Sequence, residues 1–371
     1  MPTADELLNA TAVRGLITCL STALPGQPLK TVRAAVKEFP GLALRERSDL
    51  VRDALLADLP TDFAEFTKVI QQALTQPGFT GWMIWPVTSA VSARAIEDGT
   101  KQAFDDALGL LAELTPRLTA EFGIRPLLDA DLNRALPIVL TWTKHPDENV
   151  RRLASEGTRP LLPWARRVRA ILADPRSTVP ILDALYQDES AYVRRSVANH
   201  LNDLSRADPA LVVEVAQRWL ADAQPETGQL VRHALRTLVK KGYPTALALL
   251  GFHPPTGVSV AGPELTLTTV AVGGELEFSC TVSNGGSEPA RLAIDYVIHH
   301  QKANGSQAPK VFKLAARTLA PGDTITLTRK HSFKVITTRA YHPGEHLIEV
   351  QVNGTTFGRT AFMLVKDAAG G

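Results

Sequence analysis

An arginine-bearing pattern occurs three times: VRRLASEG from Val150, VRRSVANH from Val193 and VRHALRTL from Val231. Wound as helices at about 100° per residue, the first copy sets Val150, Leu153, Ala154 and Gly157 on one face. Arg152, Ser155, Glu156 and Arg159 share the opposite face. The same register puts Arg195, Asn199 and Asn202 on the outer face of the second copy. In the third it puts His233, Arg236, Thr237 and Lys240 there. Stacked copies would bring Arg152, Arg195 and His233 into a column. Such a row suits a phosphate backbone, because Arg and Lys supply salt-sensitive affinity without reading base sequence. The competing reading is a polar face that meets only solvent.

The elements that must position this row follow from the spacing. The copies are offset by 43 and 38 residues, and each follows a polar loop: HPDEN, QDESAY and AQPETGQ. Those offsets fit HEAT-type helix pairs, which stack because no unit buries its apolar face alone. VRDALLADL from Val51 reads as a weaker copy. Apolar residues keep helical spacing through residues 1–250. Residues 251–263, GFHPPTGVSVAGP, read as a linker. In 264–371 the pattern changes to short runs such as ELEFSCTV, where Leu276, Phe278, Cys280 and Val282 alternate with polar residues. Asn284-Gly285-Gly286, Pro321-Gly322-Asp323 and Asn353-Gly354 supply turns. Six or seven strands are expected, in a β-sandwich.

Bulk properties exclude several classes. The chain has 371 residues, 44% hydrophobic and 21% charged, with a net charge of only +2. Charge is uneven, however. Residues 1–130 carry 12 Lys/Arg against 16 Asp/Glu, residues 144–169 carry 7 against 3, and residues 291–341 carry 9 against 2. Two basic stretches in a balanced chain point to local contact with a polyanion. No apolar run approaches a membrane span, and no secretory signal pattern opens the chain. Cys19 and Cys280 lie far apart, which fits a reducing cytoplasm and no disulfide framework. No His/Asp/Glu cluster has ligand spacing, so no metal or other cofactor is expected. Nothing suggests an obligate protein partner, and a monomer is expected.

Four segments carry a family resemblance: MIWPVTSAVSARA from Met83, KHPDENVRRLASEGTRPLLPWARRV from Lys144, DESAYVRRSVANHLNDLSRADP from Asp188 and YVIHHQKANGSQAPKVFK from Tyr296. The chain resembles the HEAT-like-repeat alkylpurine DNA glycosylases, in the AlkC branch with a C-terminal immunoglobulin-like domain. The resemblance spans nearly the whole chain. It implies a HEAT-like α-solenoid followed by an immunoglobulin-like β-sandwich. It also implies release of bases alkylated at a ring nitrogen, chiefly 3-methyladenine, from double-stranded DNA. The damaged base would be engaged without full flipping into a deep pocket. A non-enzymatic HEAT scaffold that binds DNA or a protein is the alternative that the repeats alone allow.

Under that resemblance the chemistry calls for carboxylates. An N3-alkylated base is already cationic and leaves without an acid. The enzyme must stabilise an oxocarbenium-like sugar and position water. Glu156 is the first candidate, beside Arg152 and Arg159; otherwise it is only a helical partner of Arg152. Glu121 is expected at the end of a helix capped by Gly123, and Asp203, a turn beyond Asn199, is a third candidate, whose alternative role is to hold Arg206. Trp164 either contacts the cationic base or completes a core stripe with Val168, Ile171 and Leu172 in a helix WARRVRAIL. Trp82 and Trp85 are assigned to the core. Lys144, Arg152, Arg159, Arg194, Arg195 and His233 are expected to contact DNA, with Asn199 and His200 as neutral contacts. In the β domain, Lys302, Asn304 and Lys310 on a long loop, with Arg339, are expected to reach a groove. With no helix-hairpin-helix motif and no marked Schiff-base lysine, the product should be an abasic site on an uncut strand.

Overall fold

The polar loops ahead of the repeats end in helix caps. In this computed structural model, which describes residues 3–335 and 340–366, Asp147 accepts from the Asn149 amide at 2.7 Å and opens the Glu148–Glu156 helix. Ser190 opens the Ala191–Leu204 helix by accepting from the Tyr192 amide at 3.2 Å. A short polar side chain there satisfies amides that the helix cannot. Behind the caps, Val150, Leu153, Val193, Val197 and Leu201 are fully or almost fully buried. The two helices pack on each other, and the second packs on the Thr227–Ala234 helix.

The leading arginine of the first copy braces the stack, and that of the second braces its own loop. Arg151 is buried and donates to the Asp188 carboxylate at 2.7 and 3.1 Å and to the carbonyls of His145 and Pro146. It thereby ties the loop of one copy to the loop of the next. Arg194 folds back on its own loop, donating to the Asp188 and Glu189 carbonyls at 2.6 and 2.9 Å.

The chain divides into two compact units, 1–234 and 235–371. The first is helical, from Ala4–Leu7 to Thr227–Ala234. The second opens with two short helices, Arg236–Lys240 and Pro244–Leu249, earlier than the boundary expected at 250. These helices group with the strands because backbones meet closely there: a Cβ on Gly242 would stand 2.8 Å from the Gly354 backbone. Among the described residues eight strands follow: β1 (Val258–Leu265), β2 (Thr269–Ala271), β3 (Glu275–Asn284), β4 (Ala290–Gln301), β5 (Gln307–Leu319), β6 (Thr324–Ser332), β7 (Gly344–Val352) and β8 (Thr355–Val365). They form a three-stranded sheet, β1-β3-β6, and a five-stranded sheet, β2-β8-β7-β4-β5, antiparallel except where β2 meets β8. The alternation read in β3 holds: Leu276, Phe278, Cys280 and Val282 are buried.

Several expectations change. β1 begins inside the expected linker, at Val258, with a bulge between Ala261 and Glu264 that accommodates the Gly-Pro pair. The long loop around Lys302 is a five-residue turn, and Lys310 already lies in β5, an edge strand too polar to read as one. In WARRVRAIL only Arg169–Ala173 is helical, because Trp164 sits at φ +62°, outside helical space. Gly123 caps no helix. The preceding helix ends at Leu114, and Gly123 lies where a Cβ would come within 2.7 Å of Thr88 Cβ and 2.9 Å of its backbone. Gly123→Ala should therefore destabilise the helical unit by about 1–3 kcal/mol through overpacking. Chemical denaturation reads this as a lower midpoint at unchanged slope; an unchanged midpoint would show that the approach is not tight.

Candidate active site and nucleic-acid interface

Glu156 is the last residue of its helix and is 6% exposed. Its Oε1 accepts from Arg159 Nη1 at 2.6 Å, and its Oε2 accepts from Ser196 Oγ at 2.6 Å. Arg152, one turn earlier, approaches Glu156 Oε1 at 3.4 Å and donates to Glu121 Oε2 at 2.7 Å. Its guanidinium also lies 4.8 Å from the Tyr192 ring centroid. Arg159 Nε donates to Asp203 Oδ2 at 2.9 Å. Glu121, Glu156 and Asp203 are thus joined through two guanidinium groups in one largely buried network. The face expected to look outward is in large part packed against the next helix.

A second arginine layer holds the loop after Glu156. Arg125 is buried and donates to the carbonyls of Gly157, Arg159 and Arg166 at 3.1, 2.8 and 2.6 Å. Burial pulls its pKa down to about 10. Arg45 Nη2 donates to the Trp164 carbonyl at 2.7 Å. These bonds hold Trp164 in its left-handed conformation with its side chain 69% exposed.

The network opens on a cleft of about 390 Å³ lined by Glu121, Glu156, Arg159, Trp82, Trp85, Phe122 and Trp164, among others. Trp85 stacks on Phe122 with ring centroids 4.6 Å apart, and Trp82 lies 6.0 Å from Trp85. Two carboxylates and one guanidinium therefore face a space with aromatic walls. Such a site suits a cation: the carboxylates supply charge and the ring faces supply polarisable, partly negative surface.

The cleft gathers three of the four candidate catalytic residues: Glu156, Glu121 and Trp164. Asp203 does not line it; it is buried and holds Arg159 rather than Arg206. Glu121 lies in the turn before the Arg125–Ala130 helix, so it does not oppose a helix dipole. Trp164 completes no core stripe, although Val168 and Ile171 are buried. Sequence reasoning missed Trp82, Trp85 and Phe122 as cleft walls. Trp85 is buried, as its core assignment expected, yet its ring also stacks on Phe122 at the cleft wall, with half-buried Trp82 beside it.

The expected DNA contacts divide by exposure. Lys144, Arg195 and His233 are exposed. Arg195, Asn199 and His233 share a second cleft of about 420 Å³, where His233 Nε2 lies 2.9 Å from Asn199 Oδ1. Arg159 is buried between carboxylates, Arg194 is engaged by carbonyls, and Arg152 is committed to Glu121, so the open column is not formed. His200 is fully buried, donating from Nδ1 to the Ser155 carbonyl and accepting at Nε2 from Thr178. Burial pushes its pKa down to about 3, which leaves the ring uncharged at neutral pH, as a packing residue. Arg236, Thr237 and Lys240 belong to the second unit. Lys302, Asn304 and Lys310 are exposed in that unit, and Arg339 lies outside the described residues. Among the described residues no group of three or more His, Cys, Asp or Glu could hold a metal ion. No helix among them is long and apolar enough to cross a membrane.

The helical unit, with its arginine-braced repeats and acidic aromatic cleft, is similar to DNA-repair enzymes. Residues 118–238 match the family described as DNA alkylation repair enzyme, and residues 259–366 match the C-terminal Ig-like domain of YhaZ. The chain is 34% identical over 358 residues to the uncharacterized protein YhaZ of Bacillus subtilis (strain 168), covering 95% of this chain and 97% of that one. It also matches the structure of Pseudomonas fluorescens alkylpurine DNA glycosylase AlkC bound to DNA containing an abasic site analog. That match has 32% identity and a TM-score of 0.87, over 98% of this chain and 100% of the other. The chain belongs to the HEAT-like-repeat alkylpurine DNA glycosylase family, in the AlkC branch with an immunoglobulin-like C-terminal domain. It is an enzyme, a DNA glycosylase, and the scaffold alternative falls away.

The ion network makes a separate demand on stability. Removing Arg159 would take from Glu156 and Asp203 the guanidinium they share in a largely buried position. Arg159→Met should cost about 3–5 kcal/mol, the penalty of breaking one side of a buried pair. Urea unfolding measures it, and a loss below about 1 kcal/mol would mean that water already screens the cluster.

Proposed function

We propose that the enzyme hydrolyses the N-glycosidic bond of cationic N3-alkylated bases in duplex DNA, 3-methyladenine first and 3-methylcytosine as a further substrate. The observation that carries this reading is that Glu121 and Glu156 line one open cleft between aromatic side chains. An N3-alkylated base leaves when its glycosidic bond breaks with the electron pair passing to the ring, which quenches the positive charge. The sugar left behind is oxocarbenium-like at C1′. Carboxylates held beside it stabilise that charge, and one of them takes the proton of the water that adds to C1′. The product is an abasic site on an intact strand.

Glu156 carries the larger electrostatic share, because hydrogen bonds from Arg159 and Ser196 and an ion pair with Arg152 fix its position. Glu121 shares the task, held by Arg152 and by Thr119 Oγ1 at 3.0 Å. The exposed Trp164 ring meets the cationic base or its sugar at the mouth of the cleft. Asp203 acts through Arg159. The cleft is not enclosed, which supports attack on a base that is not swung fully into a closed pocket. Lys144, Arg195, Asn199 and His233 contact the DNA backbone, and Lys302, Asn304 and Lys310 provide contacts from the β domain.

Glu156→Gln preserves shape while removing the charge. It should slow single-turnover release of 3-methyladenine by ~10²-fold while DNA affinity changes little, the size expected for one preorganised charge. Unchanged release would remove Glu156 from the mechanism.

A further inference from the structure

The aromatic pair that walls the catalytic cleft has another side. Trp85 and Phe122 also line a neighbouring cleft of about 490 Å³. Four arginines line it, Arg45, Arg52, Arg125 and Arg166, against two carboxylates, Asp49 and Glu97. Both carboxylates already have cations. Asp49 pairs with Arg52 at 2.7 Å, and Glu97 pairs with Arg94 at 2.6 Å. Arg45 and Arg166 are exposed, and Arg166 keeps only a pair with Asp129 at 3.2 Å. Exposed pairs of that kind are weak and exchange readily for a better acceptor.

Arg125 supplies the independent observation. Its guanidinium is 1% exposed, and its Nε and Nη1 are satisfied by loop carbonyls. Its Nη2 has no acceptor. A buried guanidinium donor left unpaired is costly, and an anion in the cleft that this side chain lines would relieve the cost. Guanidinium groups match phosphate oxygens in geometry as well as charge.

We propose that this second cleft holds a backbone phosphodiester of the DNA strand whose damaged nucleotide lies in the first, gripped by Arg166 and Arg45 above Arg125. The proposal rests on the catalytic reading above. A DNA phosphate is the occupant favoured over a free one because Trp85 and Phe122 line both clefts, so a strand passing that pair serves both. The grip sets the register of the strand. It fixes which sugar stands before Glu121 and Glu156, while base identity is read elsewhere.

The test uses the full-length protein and duplexes carrying a tetrahydrofuran abasic analogue, with one phosphate at a time replaced by a neutral methylphosphonate. Affinity is measured for the wild type and for Arg166→Ala, an exposed site where folding is not at stake, with Arg45→Ala as a second variant. One replacement should weaken wild-type binding about tenfold and Arg166→Ala binding by less than about twofold, since the contact is already gone. Equal losses in wild type and both variants at every phosphate would overturn the site. Release of 3-methyladenine by the wild type is followed on the same preparations. Release with no altered phosphate pattern sinks the phosphate site alone. An altered pattern without release sinks the catalytic reading and keeps the site.

Discussion

Two carboxylates that would repel one another share a single cleft because guanidinium groups stand among them. Arg152 lies between Glu121 and Glu156, and Arg159 lies between Glu156 and Asp203. The partners come from four parts of the helical unit: Glu121 from a turn, Arg152 and Glu156 from one helix, Arg159 from the loop beyond it and Asp203 from the next repeat. Coulomb attraction in a partly desolvated place ties them together more strongly than it would in water. The cleft exists only while all these elements keep their positions. Inter-repeat braces such as Arg151 to Asp188 are therefore as necessary to the site as its own side chains.

The network is poorly explained as a device for stability. Charged groups taken out of water lose hydration that their pairing barely restores, and apolar residues of similar volume commonly hold a fold as well. What the charges add is placement. Glu156 is held from both oxygens, and Trp164 is held in a conformation that a bulky residue rarely adopts. A site prepared in this way loses nothing to reorganisation when positive charge develops on a sugar beside it, which is how fixed charges accelerate such reactions.

How much of this could be read from the sequence depends on the physical signal. The repeats and the turn to strands were legible because periodicity survives in any helix or strand that buries one face. Glu156 and Glu121 were legible as candidates, since the family resemblance asked for carboxylates, and both line one cleft. The core face of the Glu148–Glu156 helix, with Val150, Leu153 and Ala154, was legible; the burial of Ser155 and Glu156 on the opposite face was not. The wheel placed Arg159 outside, whereas Glu156 and Asp203 draw it inside, and sequence periodicity does not see ion pairs between repeats. His200 misled for a similar reason, because a polar residue that finds a carbonyl and a hydroxyl is content in a core. The aromatic walls were hidden by ambiguity: a tryptophan that lines a cleft and one that fills a core have the same neighbours in sequence.

The claim that the arginine-spaced carboxylates serve a cationic sugar is tested most directly by comparing two DNA ligands of equal shape. One duplex carries a protonated pyrrolidine in place of the deoxyribose, and the other carries the neutral tetrahydrofuran. The account predicts that the wild-type enzyme binds the cationic duplex tighter by about 100-fold or more, as expected for a mimic of the transition state, and that Glu121→Gln combined with Glu156→Gln erases most of that preference. Equal affinity of the wild type for the two duplexes would contradict it.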